Sequence, residues 1–321
     1  MVWLTGILGL VILLLAGDLL VRGAVNVALR LGVPALIVSL TIVAFGTSAP
    51  ELLISIEAVM TGAPGLALGN VVGSNTANIL LVLGFPALIA TLQTSGSDTR
   101  KSYSIMIGVS LIFIALCFFS PLTWWHGLIL LSLLAFILWD QAREAIRHRR
   151  ALKAAAAEEE EEEVEGAEPG LAGWKIAVFI ILGLIGLPLG ADLFVDSSIE
   201  IAEMFGVSDE VIGLTLVALG TSLPELATVM MAAMRRQADV ALGNVIGSNM
   251  FNLLAILGVT TLVGPIPVTN PLVSYDLWAM LFASLLIAPF VFNRSMNMTR
   301  PWGLLLSVLY ILYIITVVYY G

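Results

Sequence analysis

Two short motifs occur twice in this chain at one constant distance. GTSAPEL at 46–52 recurs as GTSLPEL at 220–226, and GNVVGSN at 69–75 recurs as GNVIGSN at 243–249, each 174 residues further on. The same offset joins further identical pairs: Asp18 and Asp192, Thr41 and Thr215, Asn78 and Asn252, and Gly84 and Gly258. A constant offset predicts that the 321 residues contain two copies of one structural unit.

The composition predicts that these units lie in lipid. Of the residues, 59% are hydrophobic and 12% are charged, whereas a soluble domain carries about 25% charged residues. A helix needs about 20 apolar residues to cross a bilayer. Hydropathy and turn signals predict ten such spans, at about 2–28, 34–60, 66–91, 103–119, 122–143, 172–203, 209–234, 240–263, 274–293 and 302–320.

The basic residues predict how the spans are oriented. All fourteen lie in alternate connections or in the ends of the spans next to them, and therefore at one membrane face, which is the cytoplasmic face by the positive-inside rule. Both termini should then lie outside. Each repeat contains five spans, an odd number, so the second copy enters the membrane from the opposite side. We therefore expect an all-α polytopic membrane protein with ten transmembrane helices in two inverted five-helix repeats, 1–149 and 171–321.

The segment 150–170 separates the two predicted repeats and is strongly acidic. It holds eight of the 23 acidic residues, and the remaining fifteen nearly balance the fourteen basic residues in number. The formal charge of −9 is therefore a property of this segment. We interpret it as a solvated cytoplasmic linker; the alternative is a calcium-sensing or partner-binding role.

Glu51 and Glu225 are the residues that most constrain function. Each lies in the middle of an apolar span, where a carboxylate costs about 2.5–3.5 kcal/mol on insertion scales. A structural explanation would need a buried arginine or lysine as partner, but every base maps to one membrane edge. Two equivalent carboxylates without such partners indicate cation binding.

Pro50 and Pro224 directly precede these glutamates. A proline inside a helix lacks its N–H and clashes with the carbonyl four residues back, so the preceding turn should open and free its carbonyls. These carbonyls join the glutamates in an all-oxygen set of the kind that Na⁺ and Ca²⁺ prefer. The hydroxyls of the same motif belong to Thr47, Ser48, Thr221 and Ser222. The four-residue spacing from Thr47 to Glu51 also predicts that the two share one helix face.

The GN-containing motif predicts the facing wall of the site. Its glycines, Gly69 and Gly73 in one copy and Gly243 and Gly247 in the other, form small-xxx-small patterns that allow helices to approach closely. Ion contact is the favoured interpretation for Ser74, Asn78, Ser248 and Asn252. Hydrogen bonding between helices is favoured for Asn70, Asn75, Asn244 and Asn249.

Charge counting limits the substrate further. Two carboxylates match one Ca²⁺ or two Na⁺ without net buried charge, and an isolated buried charge is expensive. An anionic substrate would require bases in the middle of the membrane, and the sequence places none there. Cys117 is the only cysteine, which excludes an internal disulfide. No cofactor, enzyme activity or nucleic-acid partner is expected, and a monomer is compatible with the sequence.

The motifs GTSAPEL with GNVVGSNTAN, and GTSLPEL with GNVIGSNMFN, resemble the two α-repeats of the cation/calcium exchanger superfamily. They are most similar to those of its prokaryotic sodium/calcium antiporters. The resemblance implies that spans 2, 3, 7 and 8 form the ion-binding core, and that spans 1 and 6 slide across it to alternate access. It also implies Na⁺/Ca²⁺ antiport across the cytoplasmic membrane of a prokaryote.

The resemblance further implies a role for each motif residue. Glu51 and Glu225 would be the central calcium ligands, together with Thr47 and Thr221. The flanking sodium sites and the middle of the site would use Ser48, Ser222, Ser74, Ser248, the carbonyls of Ala44 and Ala218, and Asn78 and Asn252. Several family members, including the potassium-dependent ones, carry aspartate at one of the last two positions. Asparagine at both favours potassium-independent exchange.

Several alternatives remain open at this point. Asp18 either pairs with Arg22 one turn later or takes part in ion access or helix sliding. Glu57, Asp209 and Glu210 form either an acidic vestibule that concentrates cations or a solvated edge. A proton/calcium antiporter is the nearest rival function. A cation channel and an intramembrane hydrolase are weaker rivals, since an inverted repeat is typical of transporters and no hydrolase motif is present.

Overall fold

The computed structural model describes residues 2–94, 99–155, 172–204, 220–268, 275–293 and 295–320. Within these ranges the chain is helical and forms no strand, apart from two isolated bridges. The helices are α1 (Val2–Leu31), α2 (Ala35–Thr47), α3 (Ala49–Met60), α4 (Pro64–Ile89), α5 (Arg100–Cys117), α6 (Trp124–Ala155), α7 (Gly173–Met204), α8 (Leu223–Met234), α9 (Ala238–Val263), α10 (Leu277–Phe292) and α11 (Arg300–Tyr320).

The helices coincide with the apolar segments that the sequence predicts. In the described part of the chain, seven helices are long and apolar enough to cross a membrane, and the bent pair α2 and α3 makes an eighth. The helices α8 and α10 are shorter and also apolar. The predicted first part of span 7, 209–219, and most of the acidic linker, 156–171, lie outside the described residues.

Helices α1 and α7 pack along one another because glycines remove the side chains between them. A Cβ built on Gly9 would lie 2.9 Å from the carbonyl oxygen of Gly190, and one built on Gly183 would lie 3.0 Å from that of Ala16. A side chain at either position would require the backbone of the partner helix to move away. The two long helices therefore form one tightly packed antiparallel pair, as small residues permit in membranes.

Helices α4 and α9 form the centre of the protein. In their apolar windows, 72% and 83% of the residues are buried, against 11% in α11. Helix α9 touches the backbone of α2: a Cβ on Gly247 would lie 2.6 Å from the Leu40 carbonyl oxygen, and one on Gly243 would lie 3.0 Å from that of Leu36. These contacts confirm the close approach predicted for this glycine pair. No described atom outside the local backbone lies within 4 Å of a Cβ built on Gly69 or Gly73.

Glycines related by the 174-residue offset make equivalent contacts at the two ends of the core. Gly84 in α4 packs on α11, where a Cβ built on Gly303 would lie 2.7 Å from the Gly84 carbonyl oxygen. Gly258 in α9 packs on α6, where a Cβ built on Gly127 would lie 2.6 Å from the Gly258 carbonyl oxygen. Each core helix thus packs against the last helix of the opposite half of the chain.

The two isolated bridges follow the same rule. One joins Leu92 to Met298 and the other joins Leu122 to Ile266. Leu92 and Ile266 are 174 residues apart, and each directly follows a core helix. Backbone pairing therefore fixes the ends of α4 and α9 in matching ways.

Candidate functional site

The chain breaks its helical path in front of each buried glutamate. Helix α2 ends at Thr47 and α3 begins at Ala49 with a 43° bend, and Ser48 between them has φ −88° and ψ 8°. Ser222 precedes α8 with φ −89° and ψ 1°. The prolines occupy the first turns of α3 and α8, where a missing N–H is harmless. Because Ser48 and Ser222 depart from helical geometry, the turn before each proline is open, as predicted. Glu51 and Glu225 also lie in those first turns.

A carboxylate in the first turn of a helix is stabilised electrostatically, because the N-terminus of a helix carries a partial positive charge from its unpaired N–H groups. The sequences SAPE and SLPE have the spacing of a capping box, in which serine and glutamate bond the helix end locally. Neither Ser48 nor Ser222 forms a side-chain cap hydrogen bond. Ser48 Oγ instead donates to Glu225 Oε1 across the protein, at 3.0 Å.

The break also corrects one expectation from the sequence. Thr47 ends α2 whereas Glu51 lies in the first turn of α3, so the two do not share the face of one helix. The Thr47 hydroxyl contacts the Ala44 carbonyl oxygen and Asn244 Oδ1, each at 3.3 Å. The break turns Thr47 away from a regular i, i+4 relation with Glu51.

Glu51 and Glu225 are both 1% exposed and close enough to interact electrostatically. Among the described residues, neither forms a salt bridge with a base, as the sequence predicts. Ser248 Oγ lies 3.5 Å from Glu225 Oε1. One oxygen of each carboxylate, Glu51 Oε2 and Glu225 Oε2, is buried without a hydrogen-bond partner among the described residues.

Asparagines of α4 and α9 join the two halves through reciprocal hydrogen bonds. Asn75 Nδ2 donates to the Asn249 carbonyl at 3.1 Å, and Asn249 Nδ2 donates to the Asn75 carbonyl at 3.3 Å. Asn78 Nδ2 donates to Asn249 Oδ1 at 3.0 Å, and Asn252 Nδ2 donates to Asn75 Oδ1 at 3.0 Å. Every bond in this network has its counterpart 174 residues away, so the two repeats meet face to face here.

A local change of helix type begins at the two outer asparagines. Asn78–Leu83 and Asn252–Ile256 are π-helical turns within α4 and α9, a widening that is frequent at functional sites. With their amide nitrogens engaged, Asn78 Oδ1 and Asn252 Oδ1 remain buried without a hydrogen-bond partner among the described residues, as does Ser222 Oγ. Polar atoms left in this way are uncommon in proteins and require an explanation.

The remaining site candidates are arranged around these groups. Ser74 Oγ accepts a hydrogen bond from Asn252 Nδ2 at 3.0 Å, which brings the two halves together again. The Ala44 carbonyl already accepts from the Ser48 N–H at 3.0 Å. Thr221 lies half-buried at the break in front of α8. Ala218 lies outside the described residues.

Three features of this region were not predicted from the sequence. They are the π-helical turns, the absence of serine capping, and the part played by Ser55, whose buried Oγ accepts the predicted interhelical bond of Asn70 from its Nδ2 at 3.2 Å. Ser55 has no sequence signal, because valine stands at the equivalent position 229. Glu57 is exposed on α3, while Asp209 and Glu210 lie outside the described residues, so the vestibule remains a prediction.

The asparagine network provides a test of how the halves are joined. We expect Asn75→Ala and Asn249→Ala to lower stability by about 1–3 kcal/mol each and by similar amounts, because each removes two equivalent buried hydrogen bonds. Thermal unfolding in detergent measures the change, and Gln93→Ala, at an exposed amide, is the control. Clearly unequal losses for the two variants would contradict the symmetric arrangement.

The oxygen groups at the centre differ from a conventional metal cluster. No group of three or more His, Cys, Asp or Glu side chains in the described ranges is placed to hold a metal ion. The centre instead combines two carboxylates with hydroxyl and amide oxygens. Hard cations bind such sets, and apolar helices surrounding them define a membrane transporter that handles cations.

Comparison with known proteins identifies the family of this transporter. The model of the family described as sodium/calcium exchanger protein matches residues 1–142 and 175–319. The chain belongs to this family, which confirms the resemblance seen in its motifs. It is therefore a calcium/cation exchanger of the membrane, with ions as substrates, and not an enzyme.

Individual relatives span nearly the whole chain. The putative antiporter CaxA of Alkalimonas amylolytica is 34% identical, covering 96% of this chain and 95% of its own length. The sodium/calcium exchanger MaX1 of Methanosarcina acetivorans is 33% identical, with coverages of 98% and 97%. The solved structure of the sodium-calcium exchanger NCX_Mj is 32% identical, with coverages of 97% and 96% and a TM-score of 0.79.

Proposed function

We propose that the chain is a sodium/calcium antiporter whose transported ions bind between Glu51 and Glu225. One observation carries the proposal: five oxygens at the junction of the two halves are buried and lack hydrogen-bond partners among the described residues. They are Glu51 Oε2, Glu225 Oε2, Asn78 Oδ1, Asn252 Oδ1 and Ser222 Oγ. Leaving such atoms unsatisfied costs about 1–3 kcal/mol each, and more for charged groups. A cation that binds them removes this cost.

The two carboxylates also explain why the ions would compete. One Ca²⁺ or two Na⁺ neutralise the pair, and either load avoids an isolated buried charge. We assign Glu51, Glu225, Thr47 and Thr221 to calcium. The residues assigned to the flanking and middle positions are Ser48, Ser222, Ser74, Ser248, Asn78, Asn252, Ala44 and Ala218.

An inverted pair of five-helix repeats accounts for the contacts between the halves. The reciprocal asparagine bonds follow the 174-residue offset, as do Gly84 and Gly258 in the crossed glycine contacts, whose partners Gly303 and Gly127 lie on equivalent helices. We assign residues 1–149 and 171–321 to the two repeats and 150–170 to the linker between them. Counting the bent pair as one and including α8 and α10 gives ten spans, which would place both termini outside a prokaryotic cytoplasmic membrane.

The charge of the site would also control alternating access. Filled with Ca²⁺ or Na⁺, the carboxylates are neutralised and the packed pair α1 and α7 can pass over the core. Without an ion, two bare carboxylates near an apolar helix surface oppose that movement. Such a protein exchanges ions and does not leak them.

Sodium is the counter-ion that we favour. MaX1 is named as a sodium/calcium exchanger and NCX_Mj as a sodium-calcium exchanger. A proton/calcium antiporter is the alternative, because carboxylates can also titrate. Neither histidine lies inside the core: His126 bonds Thr123 in the connection before α6, and His148 is exposed. A histidine relay for protons is therefore absent from the described residues.

The test is calcium uptake by proteoliposomes that contain the full chain. We expect uptake to require sodium inside the vesicle, and to fall to background when the sodium gradient is dissipated by an ionophore. External sodium, potassium and pH are varied separately. Uptake that continues in the complete absence of sodium and follows a pH gradient would establish the proton antiporter instead. Calcium flux without any counter-ion gradient would indicate a channel.

A further inference from the structure

An ion pair ties α1 to the end of α8, outside the candidate site. Asp18 of α1 bonds the guanidinium of Arg235, which directly follows α8. Asp18 also pairs with Arg22 at 3.1 Å, so the predicted local pair is confirmed and the contact with Arg235 is additional. The side chains of Asp18 and Arg235 are only 17% and 23% exposed. Because the pair is partly buried, salt screens it less than it screens a surface salt bridge.

The same stretch of α1 lies directly on the backbone of α8. A Cβ built on Gly17 would be 3.0 Å from the Ala227 carbonyl oxygen and 3.4 Å from Met231 Cγ. Ala227, Met231 and Arg235 follow one another at four-residue intervals and so lie along one face of α8. Gly17 and Asp18 together close α1 onto that face. Helix α1 therefore covers this face of α8 from Ala227 to Arg235.

The equivalent surfaces of the other repeat are not closed. Adding 174 to Gly17 gives Ala191 of α7, and subtracting 174 from Ala227 gives Leu53 of α3. Leu53 is 68% exposed, and α7 and α3 scarcely touch. Two pairs of surfaces that are equivalent in sequence are thus packed together in α1 and α8 and parted in α7 and α3.

The charges differ in the same way. The position equivalent to Arg235 is Thr61, and the position equivalent to Arg22 is Asp196. Asp192, the counterpart of Asp18, is exposed and forms no salt bridge with any described residue. The equivalent positions therefore retain the acid, as Asp192, and lack both bases. An ion pair is built on one side alone.

We propose that Asp18 and Arg235 form a one-sided latch that holds the transporter closed on the face carrying the bases and open on the opposite face. This inference rests on the proposed function, because a latch has a role only if the site opens alternately to the two sides. Since α1 and α7 are packed as one unit, releasing α1 from α8 brings α7 towards α3. Breaking the latch therefore favours the state that is open to the base-carrying face.

Single-cysteine reporters test this directly in the full chain reconstituted into proteoliposomes. Cys117 is first replaced by alanine, and a reporter is placed at Met231→Cys beneath α1 or at Leu53→Cys on the parted surface. A charged, membrane-impermeant maleimide is added to one side at a time. In Arg235→Gln, we expect labelling of the first reporter to rise about fivefold and labelling of the second to fall about fivefold.

The charge-reversed pair provides the decisive control. Asp18→Asn should reproduce the shift of Arg235→Gln, and Asp18→Arg combined with Arg235→Asp should restore the parental labelling of both reporters. Thr61→Arg places a base near Asp192 and should lower labelling at position 53. Unchanged labelling in Arg235→Gln would overturn the latch, as would failure of the reversed pair to restore it. A parent protein without calcium exchange would contradict the proposed function instead, and the labelling experiment does not depend on that result.

Discussion

We expect Glu225→Gln and Glu51→Gln each to reduce calcium exchange by at least about 100-fold, to background in a standard flux assay, while the protein still inserts and purifies as a folded species. Each substitution removes one of two buried charges and keeps the shape of the side chain. Losing one charged partner from a buried set costs about 3–5 kcal/mol, which corresponds to a factor of about 100 or more in rate or affinity. The amide cannot neutralise a divalent ion.

Sodium-loaded proteoliposomes measure this effect, with Glu144→Gln as the matched control. Glu144 is exposed and pairs with Lys101 on the surface, so its neutralisation should leave exchange close to that of the parent. Folding is checked by size-exclusion profile and thermal unfolding in detergent. Normal exchange in either site variant would remove that carboxylate from the ion path and with it the proposed function.

The second large expected effect is on the packing of the helices and therefore on the stability of the fold. We expect Gly247→Val to lower stability by more than about 3 kcal/mol and to reduce the yield of monodisperse protein. A Cβ at this position would lie 2.6 Å from both Ala44 Cβ and the Leu40 carbonyl oxygen, so α9 must move away from α2. Ordinary overpacking costs about 1–3 kcal/mol, and a contact with backbone leaves no flexible side chain to yield.

Gly108→Val provides the comparison for this variant. Gly108 lies within α5, and a Cβ there would meet no described atom within 4 Å outside the local backbone. It therefore tests the same substitution in a membrane helix without the clash. Yield and unfolding temperature report the effect, and calcium exchange should be lost with the fold in Gly247→Val. A stable and active Gly247→Val protein would show that α9 does not approach α2 as closely as described.

Local chemistry explains why much of this protein is predictable. Apolar stretches of spanning length give the helices, because lipid leaves few other ways to satisfy the backbone. The prolines mark the two helix breaks, because the missing N–H and ring clash act within one turn. The glutamates stand out because a carboxylate is expensive at that depth wherever the neighbouring helices lie. Each of these properties belongs to a short segment and needs no knowledge of long-range contacts.

The repeat adds a long-range prediction of limited scope. The 174-residue offset indicates which segments are equivalent, and the asparagine bonds follow it, while the crossed glycine contacts join equivalent pairs of helices. It does not indicate which partner each side chain selects. The spacing from Ser48 to Glu51 is that of a local capping box, yet Ser48 bonds Glu225 in the other half. A local sequence pattern contains no information about an acceptor that folding brings close from a distant part of the chain.

The sequence by itself determined the helical membrane architecture, the two equivalent halves and the paired carboxylates. Tertiary structure decided which buried oxygens lack hydrogen-bond partners among the described residues and where the π-helical turns lie. It also decided that α1 packs on α8 while α7 stays apart from α3. The physical reason is that an exchanger must occupy states in which its two halves differ. Near-identical motifs cannot specify which side is closed, and contacts such as the one between Asp18 and Arg235 determine it only after the chain has folded.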